Sequence, residues 1–186
     1  MRTLIPISTV SPQQLDILRE EMERGLIEKA RGARGEVKDW VVRQLLPWTD
    51  LAIVSAGQAG ALTDFWGCGA QVASTAVVYV NHLLDANEFV AIYGIAIRDT
   101  NPAVIKVLMQ TGAGASTLAN WNVEILYGSR EPEAICPESI VWGGQETVFI
   151  QLIPDAVGKA VGADGVSDHV VLVGLICKPA GEVVSK

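Results

Sequence analysis

Basic residues are scarce beyond Pro47. Residues 47–186 carry 6 Lys/Arg against 14 Asp/Glu, and the whole chain of 186 residues has a net charge of -7. A surface with that balance repels a phosphate backbone, so direct nucleic-acid binding is not expected. Cysteine is equally thin. Cys68, Cys136 and Cys177 lie far apart and form no C-x-x-C pair, which argues against a zinc site of the usual spacing. Cys136 and Cys177 read as buried strand thiols. Cys68, in the loop-like stretch Trp66-Gly67-Cys68-Gly69, is the thiol to test for reactivity. The two histidines, His82 and His169, are too few for a cupin-type metal site, which takes several His/Glu ligands on facing strands; each reads as a polar strand end.

Long apolar runs are also missing. No stretch reaches the roughly 18–20 residues of a membrane helix. The start, Met1-Arg2-Thr3-Leu4-Ile5-Pro6, lacks the apolar centre of a signal peptide, and there is no Asn-x-Ser/Thr acceptor. Synthesis and folding in a cytoplasm are the expectation. The motifs of catalysis are wanting too. There is no G-x-S-x-G elbow and no G-x-G-x-x-G. Gly158-Lys159 is not a phosphate loop, because Ile153 stands where its first glycine belongs and Ala160 where Ser/Thr belongs. Glu124, Glu133, Glu138 and Glu146 are scattered beside strand ends and do not define a glycosidase pair. The reading is of a protein that is not an enzyme and needs no cofactor or metal.

What is present divides near Pro47. Residues 1–46, with 8 Lys/Arg and 7 Asp/Glu, read as a charge-dense helical arm; residues 47–186 read as a separate β domain. Ser11-Pro12-Gln13-Gln14 is a helix start, with Ser11 to cap, Pro12 at the first position and Gln14 to complete a capping box. Leu15, Leu18, Met22 and Leu26 recur every three to four residues, and Gly32 and Gly35 end the helix of residues 12–31. One narrow stripe covers a neighbour but makes no core of its own. Val37, Trp40, Val41 and Leu45 fit a second short helix stopped by Pro47; Trp40-Val41-Val42 fits a strand as well.

Strand-like runs follow at Val72–Val80, Phe89–Arg98, Val104–Gln110, Trp121–Tyr127, Ile135–Val141, Thr147–Ile153 and His169–Cys177, with turn residues between them. Strands without intervening helices predict a mainly β chain, an antiparallel β-sandwich or jelly-roll barrel with an N-terminal helical arm. Phe89–Ile97 and His169–Ile176 are apolar on both faces. A lone sandwich leaves one face of each strand to water, so these two need a second cover: the helix, a long loop or another subunit. The Gly/Ala/Asp-rich insertion of residues 154–168 reads as a mobile hairpin, with a functional loop as the alternative.

Tryptophan is typical of contacts between subunits. Leu15, Leu18, Met22 and Leu26 of the helix stripe, with Trp40, Trp48 and Trp66, are therefore the candidate subunit-interface residues.

A helical arm ahead of an eight-strand-like series of apolar strands resembles the single jelly-roll capsid proteins of icosahedral viruses, in particular the small ones of membrane-containing bacterial and archaeal viruses. The residues carrying the likeness are Phe89–Arg98 with Asn101-Pro102, Trp121–Tyr127, and Pro137–Pro154 with its Gly143-Gly144-Gln145-Glu146-Thr147 turn. The resemblance implies a capsid subunit that self-assembles, located in the virion. It also implies copies of itself and other virion proteins as partners, an internal viral membrane among the surroundings, and no catalytic residues. Unlike many coat proteins, this chain has no basic arm. A second reading is a phage decoration, cement or tail-associated module that recognises a carbohydrate; a third is a degenerate cupin. On the assembly reading, deleting residues 1–35 is expected to leave a folded barrel that fails to assemble.

Overall fold

The computed structural model describes residues 3–35, 39–47, 49–54, 66–112, 114, 116–127, 132–162 and 166–182. A two-residue strand β1 (Ile5–Pro6) and a 3-10 turn lead into helix α1 (Pro12–Arg34). The capping box is formed: Gln14 N–H donates to Ser11 Oγ at 3.3 Å and Ser11 N–H to Gln14 Oε1 at 3.0 Å. The helix runs through Gly32 and stops at Gly35, whose φ of 79° lies in the left-handed region.

Ten strands follow among the described residues: β2 (Trp40–Gln44), β3 (Gln71–Val72), β4 (Val77–Leu83), β5 (Phe89–Ile97), β6 (Val104–Thr111), β7 (Ser116–Asn122), β8 (Glu133–Trp142), β9 (Thr147–Pro154), β10 (Gly158–Lys159) and β11 (Val170–Pro179). The protein is mainly β with one N-terminal helix, and every pair of neighbouring strands is antiparallel.

Three sequence expectations change. Residues 40–44 are a strand, because Trp40–Gln44 pairs with Leu175–Pro179 and a long-range ladder outweighs local helix preference. The run Val72–Val80 is broken, since Thr75 N–H bonds back to Val72 O in a turn. Only the first two residues of the run Trp121–Tyr127 are strand: β7 ends at Asn122, whose side chain accepts from Glu124 N–H at 2.9 Å and starts a 3-10 turn at Glu124–Leu126.

One sheet has the order β1-β8-β5-β11-β2, a second the order β4-β9-β6-β7, and β10 pairs with β3. Both larger sheets feed one apolar cluster, with Ile92, Ile95 and Leu172 from the first and Val107, Met109, Ile150 and Leu152 from the second. Part of the other face of the first sheet, over β5 and β11, is also dry. Met22, Leu26 and Ala30 of α1 close over Phe89 and Ala91 of β5 and Leu175 and Cys177 of β11. Trp40 stands edge-on to Phe89 with ring centroids 5.7 Å apart. The strands that are apolar on both sides therefore have two covers in the same chain, the second sheet and α1. Residues 1–46 do not stand apart: they supply β1, α1 and β2 to the first sheet and its outer layer.

Candidate functional site

The structure gathers most of the helix stripe and Trp40 at one place, the outer face of the first sheet. Met22 and Leu26 are buried there, with Leu18 and Trp40 half-buried around them. Leu15 is half-buried near the start of the helix. Trp66 is 7% exposed and belongs to the main core instead. Trp48 lies outside the described residues. Met22, Leu26 and Trp66 are thus packed against their own chain.

Sequence reasoning missed two buried polar clusters. The first surrounds Asp168, whose side chain is fully buried. Its carboxylate accepts from Lys159 Nζ at 2.7 Å, Gln71 Nε2 at 2.5 Å and Ala103 N–H at 3.0 Å. Its backbone carbonyl accepts from Cys68 N–H at 2.9 Å and from Cys68 Sγ at 3.0 Å. Ser167 Oγ donates to Gly69 O at 2.6 Å, and Lys159 Nζ also donates to Asn101 O at 3.1 Å. Next to it Asp99 accepts from His169 N–H and lies 3.5 Å from His169 Nδ1. Burial pulls the Lys159 ammonium down, but the hydrogen bond and charge of Asp168, with Asp99 behind it, outweigh that and raise its pKa.

Local geometry sets this cluster up. Gly158 holds a φ of 72°, and a Cβ there would stand 2.4 Å from Gln71 O, so only glycine lets β10 lie this close to β3. Asp155 Oδ1 accepts from Val157 N–H at 2.9 Å and Gly158 N–H at 2.8 Å and turns the chain into β10. Hydrogen bonds thus hold the turn into β10 of the 154–168 insertion, though Val157 is 83% exposed; residues 163–165 lie outside the described residues.

The cluster works as a clamp. It joins β3, the β5–β6 connection, β10 and the entry to β11. Burial pushes the Cys68 thiol up to about 12, against the help of its Ser167 hydrogen bond. A thiol needs its thiolate to attack, so Cys68 is chemically quiet at neutral pH. All three cysteines are buried. In the native protein Cys68 is expected to react with a disulfide reagent such as DTNB at pH 8 about 1,000-fold more slowly than in urea, the factor set by its loss of thiolate. A fast native phase that disappears in Cys68→Ser would overturn this.

The second cluster surrounds Asp50, also fully buried. Arg43 forks onto it with Nη1 and Nη2 at 2.7 and 2.6 Å, and Leu46 N–H adds a bond at 2.8 Å. Lys178 Nζ lies 3.4 Å from Asp50 and 2.6 Å from Glu88 Oε1, bridging the two carboxylates. Burial pushes the Glu88 carboxyl up; the Lys178 hydrogen bond, Asp85 N–H and the Lys178 charge outweigh it and hold it below its ordinary value. This network pins the 43–50 segment to β11 and to the start of β5.

Two surfaces stand out among the described residues. The register of the second sheet turns Leu108, Phe149, Gln151, Ile153 and the exposed Asn81 away from the core, with Lys106 the one charge among the residues of β4, β6, β7 and β9 that face this way. Beside α1 runs a groove with a cavity of about 270 Å³, floored by Leu18, Met22, Leu26 and Val141 and edged by Glu21, Lys29 and Pro137. Among the described residues no group of three or more His, Cys, Asp or Glu is placed to hold a metal ion, and no helix is long and apolar enough to cross a membrane. No protein-family model matches the chain, and no curated protein matches it.

Proposed function

We propose that the chain is a single jelly-roll subunit of an icosahedral virus shell, working through contacts with copies of itself and other virion proteins. The observation that carries the reading is the pairing of its eight main strands, β2, β4, β5, β6, β7, β8, β9 and β11. Counted along the chain, the first pairs with the last (β2·β11), the second with the seventh (β4·β9), the third with the sixth (β5·β8) and the fourth with the fifth (β6·β7). That is the pattern of one long hairpin ribbon folded back on itself. Rolling the ribbon adds two further pairs, β5·β11 and β6·β9, and both are present. Two sheets of four main strands each, the first extended by β1, surround one core, which supports a β-sandwich of the jelly-roll kind, an architecture shared by viral shells, lectins and cupins.

Among those uses the shell fits best. The polar clusters brace loops, and the two open surfaces are a nearly uncharged sheet face and a groove with an apolar floor and a charged rim, the mix that contacts between subunits use. The acidic body suits a shell whose inner face meets a membrane or other protein rather than a genome. The alternative, a decoration or tail-associated module for a carbohydrate, draws on the amides around Phe149.

Electron microscopy of the purified full chain, across a range of salt and protein concentration, tests the proposal. Closed shells or ordered arrays are the expected result. Solitary particles under every condition would overturn the shell and leave the binding module.

A further inference from the structure

Gly25 lies in the middle of α1, where glycine is the poorest choice after proline. A helix glycine is usually explained by something pressed against it. Here a Cβ built on Gly25 meets nothing within 4 Å, and the same holds for Gly32 two turns on. The fold of this chain therefore gives no reason for either residue. Both are exposed, and they share one flank of the helix with Leu18, Glu21 and Lys29, since residues three, four and seven apart fall on one side. That flank edges the groove between α1 and β8, and Gly25 lines it.

The flank is complementary to itself when turned end for end. In an antiparallel pair of identical helices crossing at residue 25, position 25 + n of one lies against position 25 - n of the other. Lys29 then meets Glu21 of the second copy at both ends of the contact. Leu18 lies over Gly32, a large side chain over a gap, and Gly25 faces Gly25 and lets the backbones approach. Glu21 and Lys29 are eight residues apart, about 12 Å along a helix, too far to pair within one chain. Neither is a partner in the ion pairs of α1 among the described residues, where Arg19 holds Glu23. Over the whole helix, residues 12–24 have four acids and two bases, residues 26–34 one acid and three bases. The helix dipole accounts for such a gradient anywhere around the helix. It does not account for the two glycines, or for Glu21 and Lys29 standing on the same side.

We propose that α1 pairs antiparallel with α1 of a second copy of this chain, crossing at Gly25, with reciprocal Glu21–Lys29 contacts. The inference deepens the assembly reading and rests on it only in expecting self-association; it names one contact and holds for a dimer that never goes on to a shell.

Sedimentation velocity on the unassembled full chain tests it, over a concentration series at low salt. The wild type is expected to show a monomer–dimer equilibrium. Glu21→Lys or Lys29→Glu alone places like charges together at both ends and should weaken the dimer at least about tenfold, as repulsion replaces attraction at two contacts. The double variant E21K/K29E restores opposite charges and should return to within about threefold of wild type. Gly25→Trp should leave only monomer, with an unchanged circular dichroism spectrum, because residue 25 is exposed on the groove and a Cβ there meets nothing within 4 Å. A monomer at every concentration, or a dimer indifferent to Gly25→Trp and to the single reversals, would overturn the inference. Shells formed equally well by those variants would remove this contact and leave the shell standing; a charge-sensitive dimer with no shells would do the reverse.

Discussion

Deletion of residues 1–35 is expected to abolish the soluble folded protein rather than release a free-standing barrel. The truncation removes α1 and β1 together. It uncovers Phe89, Ala91, Leu175 and Cys177, each no more than 1% exposed in the intact chain, and leaves Trp40 and Tyr93 without the helix that shields them. Burying a side chain the size of Leu, Met or Phe stabilises a protein by about 1.5–3 kcal/mol. Met22 and Leu26 are lost outright, and the sheet residues beneath them lose the same contacts from the other side. The sum is on the order of 10 kcal/mol, as large as the whole stability of an ordinary domain, about 5–15 kcal/mol. Soluble yield and a cooperative thermal transition by circular dichroism are the measurements. A truncated chain that stays soluble and melts within a few degrees of the full chain would show that the helix is dispensable cover.

The sequence alone leads to the opposite outcome for this deletion, and the reason is instructive. The helix itself was legible: Ser11, Pro12 and Gln14 define its start by local chemistry, and Leu18, Met22 and Leu26 define its buried side by period. So was the need for a cover over Phe89–Ile97 and His169–Ile176, since apolar residues on both faces of a strand have only a few physical explanations. Where the two meet is a long-range fact. Nothing within α1 states that its stripe fits β5 and β11 of the same chain. The same limit explains residues 40–44, where Trp40 and the two valines satisfy either local state until the ladder to β11 decides.

The polar clusters were illegible for a related reason. Asp50 and Lys178, or Gln71 and Asp168, are remote in sequence, and each alone reads as an ordinary surface charge or a turn residue. One faint signal exists. Lys178 closes one of the most apolar runs in a charge-poor body, and Glu88 directly precedes another. Charges in such places are buried when the run is buried, and buried charges are paired.

Replacing either member of the Asp168–Lys159 pair should be among the most damaging single changes away from the core. Asp168 is fully buried, and three donors converge on its carboxylate: the Lys159 ammonium, the Gln71 amide and Ala103 N–H. Removing the acceptor strands all three. Breaking a buried pair by deleting one partner costs about 3–5 kcal/mol, chiefly because the other charge is left without compensation. Here the Lys159 side chain is 30% exposed and can turn toward water, which puts the cost near the lower end of that range. Deleting the other partner leaves the fully buried carboxylate held by Gln71 and Ala103 N–H alone, with no counter-charge, so Lys159→Met is expected to cost at least as much, about 3–5 kcal/mol. The order of the two variants in urea midpoint is the discriminating result. Asp168→Ala should also loosen the 154–162 segment, because Lys159 anchors β10 through Asp168, and that segment should become the first site of limited proteolysis. If Asp168→Ala unfolds within about 1 kcal/mol of wild type, the cluster is too solvated to act as a clamp. If instead Asp168→Ala proves clearly the worse of the two, Gln71 and Ala103 N–H suffice to hold the carboxylate, and the three stranded donors cost more than the stranded charge.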